Sequence, residues 1–278
     1  MLDKMRYINS KGESIEFGSF PYFANYNDLR NYTRSYQADV NGKKLKGFTD
    51  KITEKTVPVM VVSPEGKVSE ALNYLYKVID YDTRYESKGK LFIGDYFMEG
   101  FFYASEKTNY LESKMRTTVQ LKFVSESGTW KSIKSYRFIY QDEQEEQTEG
   151  FLTYPYDFPY DYKIGAGLMT LNNEADFECN FKMYIFGQVT NPTVTIGGNV
   201  YMLETTVYDN EFLLIDSESK TVVRYQPDGT AIDEFNNRDR EHNVFNKIPS
   251  GASALSHNVP NGITLDIVDD RGEPVWIG

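Results

Sequence analysis

The stretch Thr117-Thr118-Val119-Gln120-Leu121-Lys122-Phe123 alternates polar and apolar side chains. Successive side chains of a β-strand point to opposite faces, so this alternation predicts a strand with one buried face. Ile263-Thr264-Leu265-Asp266-Ile267 repeats the pattern near the other end of the chain. Turn signals that contain glycine recur between such segments, at Asn41-Gly42, Glu65-Gly66, Gly197-Gly198-Asn199, Pro227-Asp228-Gly229 and Asn261-Gly262. The sequence therefore predicts a mainly β protein.

One segment has a helical period instead. Its apolar residues fall on one face of a helix, and they are Val68, Ala71, Leu72, Leu75, Tyr76 and Ile79. Glu70 lies in the first turn, where the helix dipole favours a negative charge. We predict one amphipathic α-helix over about residues 68–80 that covers a sheet of its own domain. A helix that binds a partner protein is the alternative.

The run Val57-Pro58-Val59-Met60-Val61-Val62 is rich in β-branched residues and predicts a further strand. Proline has no N–H to donate to a neighbouring strand. Pro58 therefore places this segment at the start of a strand or on the edge of a sheet.

A polar, strongly acidic run, Gln141-Asp142-Glu143-Gln144-Glu145-Glu146-Gln147-Thr148-Glu149-Gly150, interrupts the strand patterns. Charged side chains of this density are costly to bury, so the run predicts a solvated linker or a long hairpin tip. We place a domain boundary here. Residues 1–145 are then a β domain with one helix, and residues 146–278 an all-β domain.

The charge balance argues against tight binding to nucleic acid. The chain of 278 residues has 41 acidic and 30 basic residues, which gives a net charge of −11. Binding to a phosphate backbone needs clustered lysine and arginine. The densest basic cluster, Lys43-Lys44-Leu45-Lys46, lies in a predicted turn after Asn41-Gly42.

The ends and the cysteine content predict a soluble chain made in the cytoplasm. The start, Met1-Leu2-Asp3-Lys4-Met5-Arg6, lacks the apolar region of a signal peptide, and no apolar stretch is long enough to span a bilayer. Cys179 is the only cysteine, so no disulfide forms within the chain. We expect Cys179 to be a small buried apolar residue.

No residue pattern indicates catalysis. His242 and His257 both lie in polar, turn-like segments without metal-ligand spacing. The nucleophile elbow, the phosphate-binding glycine loop and the dinucleotide fingerprint are absent. The carboxylate pairs Asp216/Glu218 and Asp269-Asp270 lack the central glycine of a calcium loop, and surface charge explains them. We predict that the protein is not an enzyme and has no cofactor or metal.

The most unusual stretch is Tyr154-Pro155-Tyr156-Asp157-Phe158-Pro159-Tyr160-Asp161-Tyr162. Its prolines favour an extended chain that displays rigid aromatic rings on both sides. Tyr154, Tyr156, Phe158, Tyr160 and Tyr162 are therefore candidate contacts for a partner protein or a glycan. The alternative is that these rings fill the edge of their own domain's core.

An ordered series of motifs resembles one known family. After the aromatic stretch come Ala175-Asp176-Phe177, then Tyr184-Ile185-Phe186-Gly187-Gln188-Val189-Thr190-Asn191-Pro192-Thr193-Val194-Thr195-Ile196, then Leu214-Ile215-Asp216 before Lys220-Thr221-Val222, then Phe245-Asn246-Lys247-Ile248-Pro249-Ser250-Gly251, and finally Arg271-Gly272-Glu273-Pro274-Val275-Trp276. Tyr7-Ile8-Asn9-Ser10-Lys11-Gly12-Glu13-Ser14-Ile15-Glu16-Phe17-Gly18 matches more weakly. In this order and spacing the chain resembles the distal tail protein family of long-tailed, siphovirus-type phages of Gram-positive bacteria.

The resemblance implies a fold and a role. The N-terminal domain would be tail-tube-like and ring-forming, with one flanking helix, and the C-terminal domain a galectin-like β-sandwich. Six copies would form a ring in the virion tail tip. The ring would join the tail tube protein to a tail-associated lysin or fibre, and to a receptor-binding protein. DNA would pass through the ring without being bound.

Two alternatives stay open beside this structural role. The aromatic stretch and the sandwich-like second half favour a carbohydrate-binding adhesion module. However, Trp130 and Trp276 lie far apart in the sequence, on opposite sides of the proposed boundary, and form no evident sugar site. A wall hydrolase is the third hypothesis, and no motif favours it.

Overall fold

The structure is a computed structural model, and it describes residues 5–24, 28–49, 51–63, 65–107, 115–139 and 169–276. These residues form two compact units. The first contains residues up to Ser132 and those from Asp270 onward, and the second runs from Ile133 to Asp269. The predicted boundary after residue 145 lies outside the described residues and stays a prediction. Residues 270–276, which the sequence assigned to the second domain, belong to the first unit.

The fold is mainly β with one α-helix in the described residues, as the alternating patterns predicted. The elements that begin in the first unit are β1 (Met5–Ile8), β2 (Ser14–Phe17), β3 (Tyr22–Ala24), β4 (Ser35–Ala38), β5 (Leu45–Thr49), β6 (Thr53–Val62), α1 (Val68–Tyr85), β7 (Gly89–Ile93), β8 (Tyr96–Lys107), β9 (Arg116–Ser125) and β10 (Trp130–Phe138).

Strand β8 connects two sets of antiparallel strands in this unit. Its first part pairs with β7, which continues to β1 and β2. Its last part pairs with β9, which continues to β6 and β3. Within the pairing with β9 the register shifts between Phe102 and Ala104, as at a β-bulge. The inward side chains include Val57, Leu91 and Trp130, all of them buried.

Pro58 lies in the middle of β6, so the expectation of a strand start was wrong and the edge alternative fits. On one side β6 pairs with β9 along its whole length. On the other side its partner β3 reaches only from Val61 to Val59. Pro58 is the next residue, where the described part of the chain provides no second neighbour.

The predicted helix is confirmed, and it extends from Val68 to Tyr85 rather than ending near residue 80. Val68, Leu75, Val78 and Ile79 are buried against the sheet. The predicted end came too early because the next buried position is occupied by Asp82, a polar residue that interrupts the apolar period. It ends at Glu86, whose left-handed backbone lets its N–H bond to the Asp82 carbonyl.

The carboxylate of Asp82 is fully buried and binds the helix to the first hairpin. It accepts hydrogen bonds from the Ser10 N–H at 2.8 Å, the Ser10 hydroxyl at 2.6 Å and the Tyr7 hydroxyl. Burial and this carboxylate raise the pKa of Tyr7 above its ordinary value, so the phenol stays a donor. Gly89 passes so close to both side chains that a Cβ would collide with them.

The second unit is built from two facing antiparallel sheets. Its further elements are β11 (Met169–Asn173), β12 (Asn180–Phe186), β13 (Val189–Thr190), β14 (Thr193–Ile196), β15 (Asn199–Met202), β16 (Thr206–Val207), β17 (Phe212–Asp216), β18 (Thr221–Tyr225), β19 (Ala231–Asp233), a 3₁₀ turn (Phe235–Asn237), β20 (Gly251–His257) and β21 (Ile263–Arg271).

Within this unit β19, β18, β17, β12 and β21 form one sheet, and β11, β20, β14 and β15 form the other. Strands β13 and β16 make a short separate pair. Side chains from both sheets, among them Phe181, Ile215, Tyr201 and Leu255, share one buried core. The predicted β-sandwich is thus present, and its galectin-like character stays a prediction.

Replacing Asp82 with alanine should destabilise the first unit. The change leaves the Tyr7 hydroxyl and the Ser10 N–H buried without their acceptor, at a cost of about 2–4 kcal/mol. Asp80→Ala in the same helix is the matched control. Asp80 is exposed and forms only an i,i+4 pair with Arg84, so we expect a loss within about 0.5 kcal/mol.

Urea unfolding followed by tryptophan fluorescence measures this difference, because both tryptophans, Trp130 and Trp276, lie in the first unit. Equal unfolding midpoints for the two variants would contradict the assigned role of Asp82.

Candidate interaction surface

The sequence-predicted contact residues Tyr154, Tyr156, Phe158, Tyr160 and Tyr162 lie outside the described residues. Their role as partner or glycan contacts therefore stays a prediction. The other residues considered for chemistry are among those that the structure describes.

The two histidines and the cysteine have different local environments. His242 is exposed, with its Nδ1 2.5 Å from the Asp239 carboxylate. His257 was expected in a turn, but it is the last residue of β20 and is buried. Burial lowers the pKa of His257 and favours the neutral ring. Cys179 is buried, as expected. In residues 5–276, less the undescribed gaps, no group of three or more His, Cys, Asp or Glu side chains could hold a metal.

The carboxylate pair of Asp216 and Glu218 organises a turn. The Asp216 carboxylate accepts hydrogen bonds from the Glu218 and Ser219 N–H groups at 2.9 and 3.1 Å, between β17 and β18. It also pairs with Lys182 at 3.4 Å. These contacts place Asp216 at a hairpin turn rather than at a reaction centre.

A more buried charge cluster in the second unit is centred on Arg224. The Arg224 guanidinium donates from Nε to Glu234 and from Nη1 to Glu211, both at 2.7 Å. All three side chains are at least 87% buried. Gln226 and the Tyr208 N–H complete the partners of Glu211 at 3.2 and 3.1 Å. Sequence reading missed this cluster, because Arg224 lies in β18 whereas Glu211 and Glu234 lie in two separate loops.

The electrostatics of the cluster suit a structural role. Burial alone would raise the pKa of Glu211, but hydrogen bonds from Arg224, Tyr208 and Gln226 outweigh it and hold the pKa below its usual range. Glu211 is therefore ionised and fully engaged at neutral pH. A general acid would need the opposite shift.

The first unit carries a hairpin with several exposed apolar side chains, residues 35–49, which we call the arm. It consists of β4, the connecting loop and β5. These strands pair only with each other among the described residues. The arm contains the basic cluster that the sequence placed in a turn.

The arm is amphipathic. Tyr36 pairs with Phe48, and two residues along the same face Ala38 pairs with Leu45. Tyr36, Phe48 and Leu45 are 67%, 65% and 63% exposed. The opposite face carries Ser35, Gln37, Gly47 and Thr49. An apolar strand face is normally turned to a core, and in this unit nothing described covers it.

The tip of the arm is ordered by Asp39. Its Oδ1 accepts hydrogen bonds from the N–H groups of Lys43 at 2.7 Å and Lys44 at 3.3 Å, and its carbonyl accepts from Gly42 at 2.9 Å. Gly42 has a φ of +67°, which glycine adopts without strain. Val40 is 97% exposed at this tip. The turn that the sequence predicted after Asn41-Gly42 is confirmed as the end of a hairpin.

The base of the arm, residues 28–32, is held by buried cations. Lys55 is buried in β6, and its Nζ donates to the Asn31 carbonyl. Burial lowers the pKa of Lys55, and Asp28 opposes that shift. Arg30 donates to the Pro274 carbonyl at 2.9 Å, and its guanidinium lies 4.1 Å from the centre of the Trp276 ring.

The charge of the arm is opposite to that of the chain. The arm carries three lysines and one aspartate, a net charge of +2, within a chain of −11, so the remaining residues carry −13. Lys43, Lys44 and Lys46 are all exposed. The arm is therefore an apolar and basic projection on an acidic protein.

Solved structures show which fold this architecture represents. The crystal structure of SPP1 Dit, described as a paradigm of the hub adsorption apparatus in phages that infect Gram-positive bacteria, matches with a TM-score of 0.57 at 9% identity, over 96% of this chain and 98% of that chain. The chain shares the fold of phage Dit hub proteins. The resemblance to the distal tail protein family is thus confirmed at the level of the fold.

Two structures of the phage P2 baseplate in its activated conformation contain chains with the same hub fold. The one with calcium gives a TM-score of 0.57 at 10% identity, and the one with strontium gives 0.58 at 11% identity. Each match covers 99% of this chain and 100% of the other. No protein-family model and no curated protein matches the sequence. Among the described residues, no helix has the length and apolarity needed to cross a membrane.

Replacing Arg224 with alanine should destabilise the second unit by about 3 kcal/mol, because Glu211 and Glu234 lose the cation that compensates their burial. Lys182→Ala is the control. Its ion pair with Asp216 is more exposed, and we expect a loss below about 1 kcal/mol.

Hydrogen exchange followed by mass spectrometry measures this change as faster amide exchange in strands β17 and β18. Exchange in β9, a strand of the first unit, is the internal reference. Unchanged protection of β17 and β18 in Arg224→Ala would show that the cluster does not stabilise the sandwich.

Proposed function

We propose that this protein is a structural hub of a phage tail tip. The observation that carries the proposal is the extent of the fold match, which covers 96–99% of this chain and 98–100% of the matched hub and baseplate chains. A match to one β domain alone would fit many unrelated proteins, since such domains recur with different functions. A match along almost the whole length of both chains favours the same kind of component.

In this proposal six copies close into a ring that joins the tail tube to the tail-tip and receptor-binding machinery. The tail tube protein contacts one side of the ring. A tail-associated lysin or fibre and a receptor-binding protein contact the other. A closed ring satisfies the interface of every subunit, so assembly stops at a defined size. The virion tail tip is the proposed location, after synthesis and assembly in the host cytoplasm.

Net charge supports the passage of DNA through such a ring without binding. Six copies at −11 each carry −66. A protein retains a phosphate backbone through clustered cations, which release the counterions of the nucleic acid when they bind. Repulsion by an acidic ring works against such binding.

Its function would then depend on surfaces rather than on a reaction. The buried carboxylates of the described residues are all engaged: Arg224 binds Glu211 and Glu234, and Asp82 accepts from Tyr7 and Ser10. The exposed features that fit a hub are the arm and the partner contacts predicted at residues 154–162.

Imaging the protein within its particle tests the proposal. We expect labelled antibody to mark the tail tip, and purified protein to form sixfold rings of about 193 kDa, six times 32.1 kDa, alone or with a tail neighbour. Mass photometry measures the mass, and averaged electron micrographs give the symmetry. Label confined to the capsid or spread along the tail would contradict the hub role.

Carbohydrate recognition is the second candidate, and a surface depression of about 460 Å³ in the second unit favours it. Phe235, Asn236, Arg240, Glu241 and His242 line it, which combines an aromatic ring with hydrogen-bonding groups. The Arg238 guanidinium lies 3.5 Å from the centre of the Phe235 ring and occupies one of its faces. Sugar stacking there would use only the remaining face.

Pull-down on purified cell wall separates the two predicted glycan contacts. If the aromatic stretch binds glycan, Tyr156→Ala with Tyr160→Ala should reduce retention at least tenfold, whereas Phe235→Ala should do so if the depression binds it. Tyr208→Ala, an exposed tyrosine elsewhere in the second unit, is the control. Retention that is unchanged in both variants would exclude glycan binding at both places.

A further inference from the structure

The two sheets of the sandwich differ in the faces that they turn away from the shared core. On β11, β20 and β14 the outward side chains are short or polar, and they include Thr170, Asn172, Thr193, Thr195, Ala254 and Ser256. On β12, β17 and β18 the outward side chains are large and apolar, namely Tyr184, Phe186, Phe212, Leu214, Val223 and Tyr225. We call this second set the aromatic face.

The aromatic face consists of two rows that run across three paired strands. The first row is Tyr184, Leu214 and Val223, and the second row is Phe186, Phe212 and Tyr225. The ring centre of Phe212 lies 4.9 Å from that of Tyr225 and 6.2 Å from that of Tyr184. The strand register therefore gathers six side chains into one continuous apolar surface.

This surface has a sharp border and is open to solvent among the described residues. All six side chains are half-buried, whereas their neighbours on the core side of the same strands are buried. The next row along the strands is polar, with Lys182, Asp216 and Thr221. Antiparallel sheets usually turn polar side chains to water, and a contiguous apolar patch marks a surface that another group covers.

We propose that in the isolated protein the aromatic face is covered by residues 154–162 of the same chain. The hub role does not depend on this contact, which is an interaction within the second unit. Three observations select this occupant: the place where the described chain stops, the length of chain that follows, and the side chains that this length carries.

The described chain stops beside the second row. A Cβ on Gly262 would collide with the Phe138 carbonyl, so the strand end that leads to Ile139 lies against Gly262. The Gly262 carbonyl is in turn 3.5 Å from the Phe186 N–H nitrogen. Ile139, the last described residue before Met169, is therefore at the same end of the sheet as the row that begins with Phe186.

The chain that follows is long enough to cross the whole face. Tyr225, the most distant member, lies four strands from β10, which corresponds to about 19 Å at the usual strand spacing of about 4.8 Å. Tyr154 is fifteen residues beyond Ile139. Fifteen residues reach up to about 50 Å when extended, so residues 154–162 reach every part of the face.

The side chains of this segment match the face. Every second residue is aromatic, at Tyr154, Tyr156, Phe158, Tyr160 and Tyr162. In an extended strand alternate side chains point to the same side, so one surface can receive all five rings. Pro155 and Pro159 have no N–H to give to a neighbouring strand. The segment therefore suits a position across a sheet face better than an added strand at a sheet edge.

Other occupants fit less well. A sugar ring stacks on an open aromatic face, but Phe212 and Tyr225 already stack on each other with an angle of 18° between their planes. A second copy carries the same segment, but the segment of the same chain is present at a much higher effective concentration. A partner or glycan that binds these rings must first lift them from the sheet, which lowers its apparent affinity.

Photocrosslinking in the full-length protein identifies the occupant. With p-benzoylphenylalanine in place of Phe212, we expect the main adduct on residues 154–162. A mixture of ¹⁵N-labelled and unlabelled protein should give adducts in which both peptides carry the same label, as a contact within one chain requires. The same group in place of Phe177, an exposed residue before the other end of β12, is the control and should give at least tenfold less of this adduct.

Limited proteolysis measures how firmly the segment is held. Chymotrypsin cleaves after aromatic residues, and a docked segment must detach before it is cut. Tyr184→Ser with Leu214→Ser weakens the aromatic face, and we expect cleavage after Tyr156, Tyr160 or Tyr162 to become at least tenfold faster. Val200→Ser with Met202→Ser is the matched control, because these half-buried residues lie on the outer face of the other sheet. It should change the rate less than twofold.

The two measurements can overturn the inference separately. Adducts from position 212 on a second copy, on another part of the chain or on no peptide would contradict it. Equal cleavage rates in the wild type and in the Tyr184→Ser, Leu214→Ser variant would contradict it as well. Crosslinking needs only one aromatic replacement, so it decides the question even where the double variant does not fold. The hub role is judged by tail-tip labelling and ring formation, which neither result affects.

Discussion

Strand β8 runs through both strand sets of the first unit, because it pairs with β7 from Tyr96 to Gly100 and with β9 from Phe101 onward. Where the partner changes, Gly100 is close enough to the Val124 carbonyl that a Cβ would collide with it. This close approach therefore requires glycine. Tyr7, Phe102 and Phe123 pack edge to face in the core beside it, with ring centres 4.9–6.4 Å apart. Through these pairings β8 joins the first hairpin, by way of β7 and β1, to β6 and β3, by way of β9.

Local patterns predicted these elements well, because the spacing of apolar residues depends on which face of its own strand or helix each residue lies on. The alternating stretch 117–123 lies within β9, the stretch 263–267 lies within β21, and the helix begins at Val68 as its apolar spacing required. Glycine turns marked the tip of the arm correctly. These signals depend on neighbours three or four positions away at most.

The features that escaped prediction depend on residues distant in the chain. Asp82 occupies a buried position of the helix because Ser10 and Tyr7 donate hydrogen bonds to it. His257 is buried in β20, which has β11 and β14 as its neighbours. Arg224 gathers two carboxylates from separate segments. The exposure of the arm is a further feature that local patterns do not predict. Tyr36 and Phe48 are residue types that usually lie in a core, and only the structure shows that they pair across two strands and lie in solvent. The predicted contacts at 154–162 stay predictions beside these described surfaces.

The return of the chain to the first unit has a consequence for biosynthesis. Residues 270–276 supply the Pro274 carbonyl and the Trp276 ring that hold Arg30, and they are made after the whole second unit. Translation of the intervening 133–269 takes roughly seven to thirty seconds at ordinary elongation rates. During that time the base of the arm lacks one of its two anchors. A nascent chain therefore carries an incompletely fixed arm until residues 270–276 have been made and have packed against Arg30.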